Sequence, residues 1–223
     1  MQKYLNIDSA YINTLPNDKL SKKRFGNVNN VHFNYGLPQL KINKALHYND
    51  DESYIENTYP TIDRNSFDNR PGAYGLTASF MKFLENNKDS SDKFIIWYED
   101  DALPADNEEL FNTQLDIAMK LINDDKNNKN KIYYLGYADY CKNRCKNVNK
   151  WLEKTYDTRN ATHCIIFTKS SIITILNYMK KNTITQAIDS LLFLLHRKKI
   201  ITAYDWGNNI LTENPQFCGL FKQ

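Results

Sequence analysis

No apolar run in this 223-residue chain approaches the roughly 20 residues that a membrane-spanning helix requires. Residues 1–6 lack the apolar core of a secretory signal. A chain with neither feature is expected to be soluble and cytoplasmic. A charge bias is missing too: 29 Lys+Arg stand against 26 Asp+Glu, a net +3. Nucleic-acid-binding surfaces carry a stronger or more clustered basic excess, so no nucleic-acid partner is expected. The most basic run, with Lys19, Lys22, Lys23 and Arg24, reads as a solvated loop. Neither a Walker A segment nor a G-x-G-x-x-G turn occurs, which argues against an ATPase or a dehydrogenase. Cysteine is sparse, at four residues. Cys141 and Cys145 are close in sequence, but a structural zinc needs two more well-spaced ligands, and His163 beside Cys164 is a lone candidate. Together with Cys218 the four read as free thiols in a reducing compartment.

Enough is present to build a core, since 41% of residues are hydrophobic. Much of the polar remainder is Asn and Lys, as expected of an AT-rich genome, for example a viral one. The first 70 residues look irregular, with short strands expected around 4–7 and 31–33. Gly72 and Gly75 mark a turn. Residues 76–85 then place Leu76, Phe80, Phe83 and Leu84 on one helical face. Phe94, Ile95, Ile96, Trp97 and Tyr98 form a continuous apolar run of strand length, expected to be buried on both faces. A helix is expected over 107–123 and a strand over 131–135, closed by Gly136. Residues 140–156 read as an excursion from the core. A buried strand follows at 163–167, then a helix capped by Ser170 or Ser171. Thr183 and Gln186 form a capping box that starts a helix over 184–196. Strands alternating with helices predict an α/β fold with a mixed, mainly parallel sheet flanked by helices.

The buried strand at 94–98 ends directly in Glu99, Asp100 and Asp101. Ligands of open α/β sheets bind outside the carboxyl ends of strands. Three adjacent carboxylates repel one another, and a hard divalent cation, Mn2+ or Mg2+, relieves that repulsion. Glu99 and Asp101 fall on one side if the backbone stays extended, so both are candidate metal ligands. Such ions also take phosphate oxygens from a substrate. The plain alternative is a solvated acidic loop whose charges favour the next helix's dipole.

These residues carry a resemblance. Gly72-x-x-Gly75-x-x-x-Ser79, a helix, and an apolar strand ending in Glu99-Asp100-Asp101 resemble the core of glycosyltransferase family 25, the lipopolysaccharide-biosynthesis and procollagen galactosyltransferase group. Tyr134-Leu135-Gly136, the strand from Ala161 to Phe167 and Ile188-Asp189 extend the likeness over roughly residues 70–195. Leu76 and Phe80 depart from the family's Cys and His, and the opening Leu5-Asn6-Ile7-Asp8 lacks the family's Arg, which marks a divergent relative. The resemblance implies a GT-A fold in one glycosyltransferase domain over 1–223, with a nucleotide-binding part to about 136 and an acceptor-side part from about 137. It implies a nucleotide-sugar donor, such as a UDP-hexose, and a glycan or protein acceptor, with inversion at the transferred carbon. The triplet would serve as the DxD motif: Asp101 and Glu99 on the metal, Glu99 and Asp100 on the nucleotide-sugar. Asp8, Gly72, Gly75 and Ser79 would shape the nucleotide-sugar pocket. Asp189, on the acceptor side, is the candidate catalytic base. It sits in an apolar stretch where an acid needs a partner or a cleft. Asp205 is a second candidate, and Trp206 could stack on a sugar, although a tryptophan is more commonly a core residue. Two other classes use the same features: a metal-dependent nuclease or phosphohydrolase, and a non-catalytic sugar- or nucleotide-binding relative.

Overall fold

The computed structural model describes residues 7–34, 38–104, 108–135, 150–153, 163–206 and 211–213. The expectations for residues 4–6, Gly136, Cys141, Cys145 and Cys218 lie outside these, as does most of the excursion at 140–156.

The elements run β1 (Ser9–Thr14), α1 (Lys19–Asn34), β2 (Leu40–Lys44), α2 (Glu52–Thr58), a 3-10 turn (Arg64–Phe67), α3 (Pro71–Asn87), β3 (Phe94–Glu99), β4 (Ala102–Pro104), α4 (Glu108–Asp124), β5 (Lys131–Tyr134), β6 (Trp151–Glu153), β7 (Cys164–Thr168), α5 (Lys169–Lys181), α6 (Ile188–Arg197), β8 (Thr202–Trp206) and β9 (Leu211–Glu213). Seven strands form one sheet in the order β2-β1-β3-β7-β5-β8-β6, and β4 pairs with β9 in a separate two-stranded sheet. The fold is α/β with a mixed sheet, as the alternating pattern predicts. It is less parallel than expected: β1–β2, β1–β3 and β5–β8 are parallel, whereas β3–β7, β5–β7 and β6–β8 are antiparallel. Strand β7 accounts for two of the three antiparallel pairings, because it runs against both of its neighbours in the middle of the sheet.

Both faces of the sheet are covered. Ile95, Trp97, Ile132, Tyr134, Ile165, Phe167 and Ala203 pack against α3, α5 and α6. The alternate residues Phe94, Ile96, Tyr98, Tyr133, Cys164 and Ile166 pack against α1 and α4. This two-sided burial is why 94–98 is apolar without alternation. Phe80 of α3 is fully buried edge-to-face against Trp97, with ring centroids 5.5 Å apart, and burying such a ring stabilises by roughly 1.5–3 kcal/mol. Among the described residues no helix is long and apolar enough to cross a membrane.

Several local expectations are corrected. Residues 31–33 belong to α1, and the first described strand is β1. The basic run around Lys19 opens α1; Ser21 and Arg24 on it are buried. Gly72 and Gly75 lie inside α3, which Pro71 begins at a position where its missing N–H costs nothing. Gly75 is there for close approach: a Cβ would stand 2.5 Å from the Leu46 carbonyl oxygen. Helix α5 is capped by Thr168, whose side chain accepts from the Ser171 N–H, not by Ser170 or Ser171. Helix α6 begins at Ile188, because the backbone of Ile184 is held in a bridge to Ile62 and cannot enter the helix. Its N–H donates to Thr61 O at 2.7 Å and its carbonyl accepts from Asp63 N at 3.0 Å.

Candidate metal centre

The strand order fixes where a ligand fits. From β1 the chain crosses through α1, on one face, to β2. It then returns through α3, on the other face, to β3 on the opposite side of β1. The crevice between the carboxyl ends of β1 and β3 is therefore a topological switch point, the favoured binding position in open α/β sheets. Asn13 pairs with Glu99 there, so the acidic triplet forms one wall of the crevice.

Antiparallel β7 brings a further group to the same place. Tyr98 pairs with Cys164, and the Glu99 N–H donates to the His163 carbonyl at 3.0 Å. His163 thus stands at the start of β7, beside the end of β3. Its Nδ1 is 3.1 Å from Glu99 Oε2 and 3.5 Å from Asp101 Oδ1. His163 and Asp101 are buried, and Glu99 is half-buried. One ligand atom from each of Glu99, Asp101 and His163 lies within 4.8 Å of the other two. Donors around an ion at about 2.1 Å stand no more than about 4.2 Å apart, so a slight closing of the group would let one ion reach all three.

The electrostatics suit a cation. Burial works against a charged imidazole, but hydrogen bonding and charge from Asp101 and Glu99 outweigh it, and His163 is pushed up to about 10. Burial likewise works against the Asp101 carboxylate, yet His163 and Arg24 hold its pKa below the ordinary value. The proton on His163 occupies the electrostatic role a metal would take. An ion that displaces it leaves two carboxylates and a neutral imidazole around a double positive charge.

Asp100 points elsewhere. Its Oδ2 accepts from Thr14 Oγ1 at 2.9 Å, and its Oδ1 is 3.3 Å from Arg24 Nη1. Burial pushes it up to about 6, with the Thr14 hydroxyl and the Arg24 charge offsetting only part of that penalty and Asp101 adding to it. The triplet is therefore split: Glu99 and Asp101 turn to His163, and Asp100 turns to α1.

Other expected site residues fall in different places. Asp8 is at the far end of the sheet, where its carboxylate accepts from the Lys93 and Phe94 N–H groups at 2.7 and 3.0 Å. It caps the entry into β3, five register positions from Glu99, and does not belong to the crevice. Ser79 and Gly75 are buried supports for the loop after β2: Ser79 Oγ donates to Gly75 O at 2.7 Å and accepts from Leu46 N at 2.8 Å. Gly72 lies in the first turn of α3, at the carboxyl edge of the sheet. Asp189 is half-buried in the first turn of α6, on the face that carries Tyr134 and Asp205, and its Oδ1 accepts from Ser190 N at 2.6 Å. Asp205 is buried and pairs in register with Tyr134; burial first, then the charges of Asp205 and Asp189, raise the Tyr134 hydroxyl well above its usual range. Trp206 is a core residue, not a sugar platform: it is buried, and its Nε1 donates to Gln114 Oε1 at 3.2 Å.

The sequence reading missed His163 as a partner of the triplet. A histidine just ahead of an apolar strand was visible, but its neighbour across the sheet was not. The sequence matches no protein-family model and no curated protein.

Proposed function

We propose that this chain is a metal-dependent glycosyltransferase with a GT-A-like fold, moving a hexose from a nucleoside diphosphate donor, UDP foremost, to a hydroxyl of a glycan or protein acceptor. The observation that supports the reading best is the convergence of Glu99, Asp101 and His163 at the switch-point crevice. The segment from Gly72 to Asp101 adds the family resemblance. In this reading Glu99, Asp101 and His163 hold the ion. A divalent metal bound there supplies charge neutralisation for a departing diphosphate. The imidazole favours Mn2+ over Mg2+, which prefers oxygen donors alone. Asp189 takes the proton of the acceptor hydroxyl as it attacks the sugar carbon from the face opposite the leaving group, which inverts that carbon. Asp205, buried at the same end of the sheet beside Tyr134, is the alternative base.

The test is a transfer and hydrolysis assay with Mn2+ across UDP- and GDP-sugars. Asp101→Ala should abolish turnover in a folded protein. Asp189→Asn should lower turnover by about 100-fold or more while nucleotide affinity stays near wild type. Wild-type turnover in Asp101→Ala would remove the metal role. Binding of nucleotide and Mn2+ without transfer to any acceptor would favour a non-catalytic relative. Cleavage of DNA or a phosphate ester in place of sugar transfer would favour a hydrolase.

A further inference from the structure

Resting on the metal reading above, we infer that Arg24 and Thr14 are positioning residues that sort the three adjacent carboxylates and so set the affinity of the centre. Three consecutive acids leave β3 at one point, and all three are at least half-buried. Left unpartnered, Asp100 would add a third negative charge beside the carboxylates of Glu99 and Asp101 that face His163.

Two groups from the β1–α1 unit hold Asp100 apart. Thr14, the last residue of β1, donates its hydroxyl to Asp100 Oδ2 at 2.9 Å. Arg24, on α1, places Nη1 3.3 Å from Asp100 Oδ1. The Arg24 side chain is 6% exposed and that of Asp100 12%, so this is a buried pair and not a surface contact. A buried ion pair of this kind adds little net stability but is costly to break on one side. It is best understood as a device for specifying geometry. With Asp100 drawn toward α1, Glu99 and Asp101 turn the other way, where His163 Nδ1 meets both. Arg24 also balances the one carboxylate that His163 and an ion would leave uncompensated. The pair links the crevice to the helix that departs from β1, so both walls of the switch point share one hydrogen-bonded network.

The experiment measures Mn2+ binding by titration calorimetry on the wild type, Arg24→Met, Arg24→Lys and Thr14→Val, with circular dichroism confirming that each is folded. Loss of a partner that orients a ligand lowers metal affinity about 10- to 100-fold. Arg24→Met should fall in that range. Arg24→Lys restores the charge to a single-point contact and should recover most of the affinity. Thr14→Val removes one hydrogen bond without changing charge and should weaken binding by about threefold or more. A role confined to packing would lower the melting temperature of Arg24→Met and leave Mn2+ affinity unchanged in all variants, which would overturn the inference. Should Arg24→Met not fold, unchanged affinity in folded Thr14→Val would overturn it equally. A wild type that binds no Mn2+ would overturn the metal reading itself, an outcome distinct from a wild type that binds and variants that bind as well.

Discussion

His163 Nδ1 stands 3.1 Å from Glu99 Oε2, although Glu99 ends β3 and His163 immediately precedes β7, far apart in the chain. The contact exists because β7 runs antiparallel to β3 and starts where β3 ends. His163→Ala removes the one nitrogen donor of the group. Mn2+ affinity should fall by at least roughly the 10- to 100-fold that loss of an outer-shell partner costs. The remaining ion preference should move toward Mg2+, since only oxygen donors are left. Competition calorimetry with the two ions reads both effects; unchanged Mn2+ affinity would exclude His163 as a ligand.

A metal that binds only the folded chain must also stabilise it. At a free Mn2+ concentration 100 times its dissociation constant the gain is about 2.7 kcal/mol. Scanning calorimetry should show a rise in melting temperature with Mn2+ that a chelator reverses. Asp101→Ala should show no such rise. An equal rise in that variant would place the ion elsewhere on the protein.

Gly75 carries a different kind of prediction. A methyl group there would stand 2.5 Å from the Leu46 carbonyl oxygen, which is backbone and cannot swing aside. Gly75→Ala should therefore destabilise the fold by about 1–3 kcal/mol despite the better helix propensity of alanine. Urea unfolding measures the difference. Stability equal to wild type would show that the loop after β2 can shift at little cost.

Acid stability should depend in part on Asp125. Burial raises its carboxyl, but Lys131 Nζ at 2.6 Å, the Asn127 N–H and the Tyr133 hydroxyl together hold it below the ordinary value near 3.8. A carboxyl with a depressed folded pKa contributes stability above its unfolded value and loses it as pH falls through the folded one. Asp125→Asn should thus reduce stability at neutral pH and flatten the loss of stability below about pH 4. Parallel wild-type and variant curves of unfolding free energy against pH would remove Asp125 from this role.

Much of the scaffold was legible in the residues. The run at 94–98, the stripe of Phe80, Phe83 and Leu84, and the apolar strands at 131 and 164 announce their own burial, because periodicity reports which faces meet the core. The opening third was not legible. In β1 the inward residues Ala10 and Ile12 are few, and in α1 Asn and Lys mask the helix. Asp8 was misplaced for a related reason, since its use was to close backbone donors at the start of β3 and not to meet a ligand.

The site divides in the same way. That three acids follow a buried strand is legible from the residues alone, and a strand end of an α/β sheet is where ligands bind. What the residues did not reveal is which groups those acids meet. Alternation along an extended chain pairs Glu99 with Asp101, but the partners come from across the sheet: His163 through an antiparallel neighbour, Thr14 and Arg24 through a parallel one. Strand order and direction arise from how helices cover the two faces, a property of the whole chain. No local spacing could have shown that Asp100 meets Thr14 and Arg24 while Glu99 and Asp101 meet a histidine.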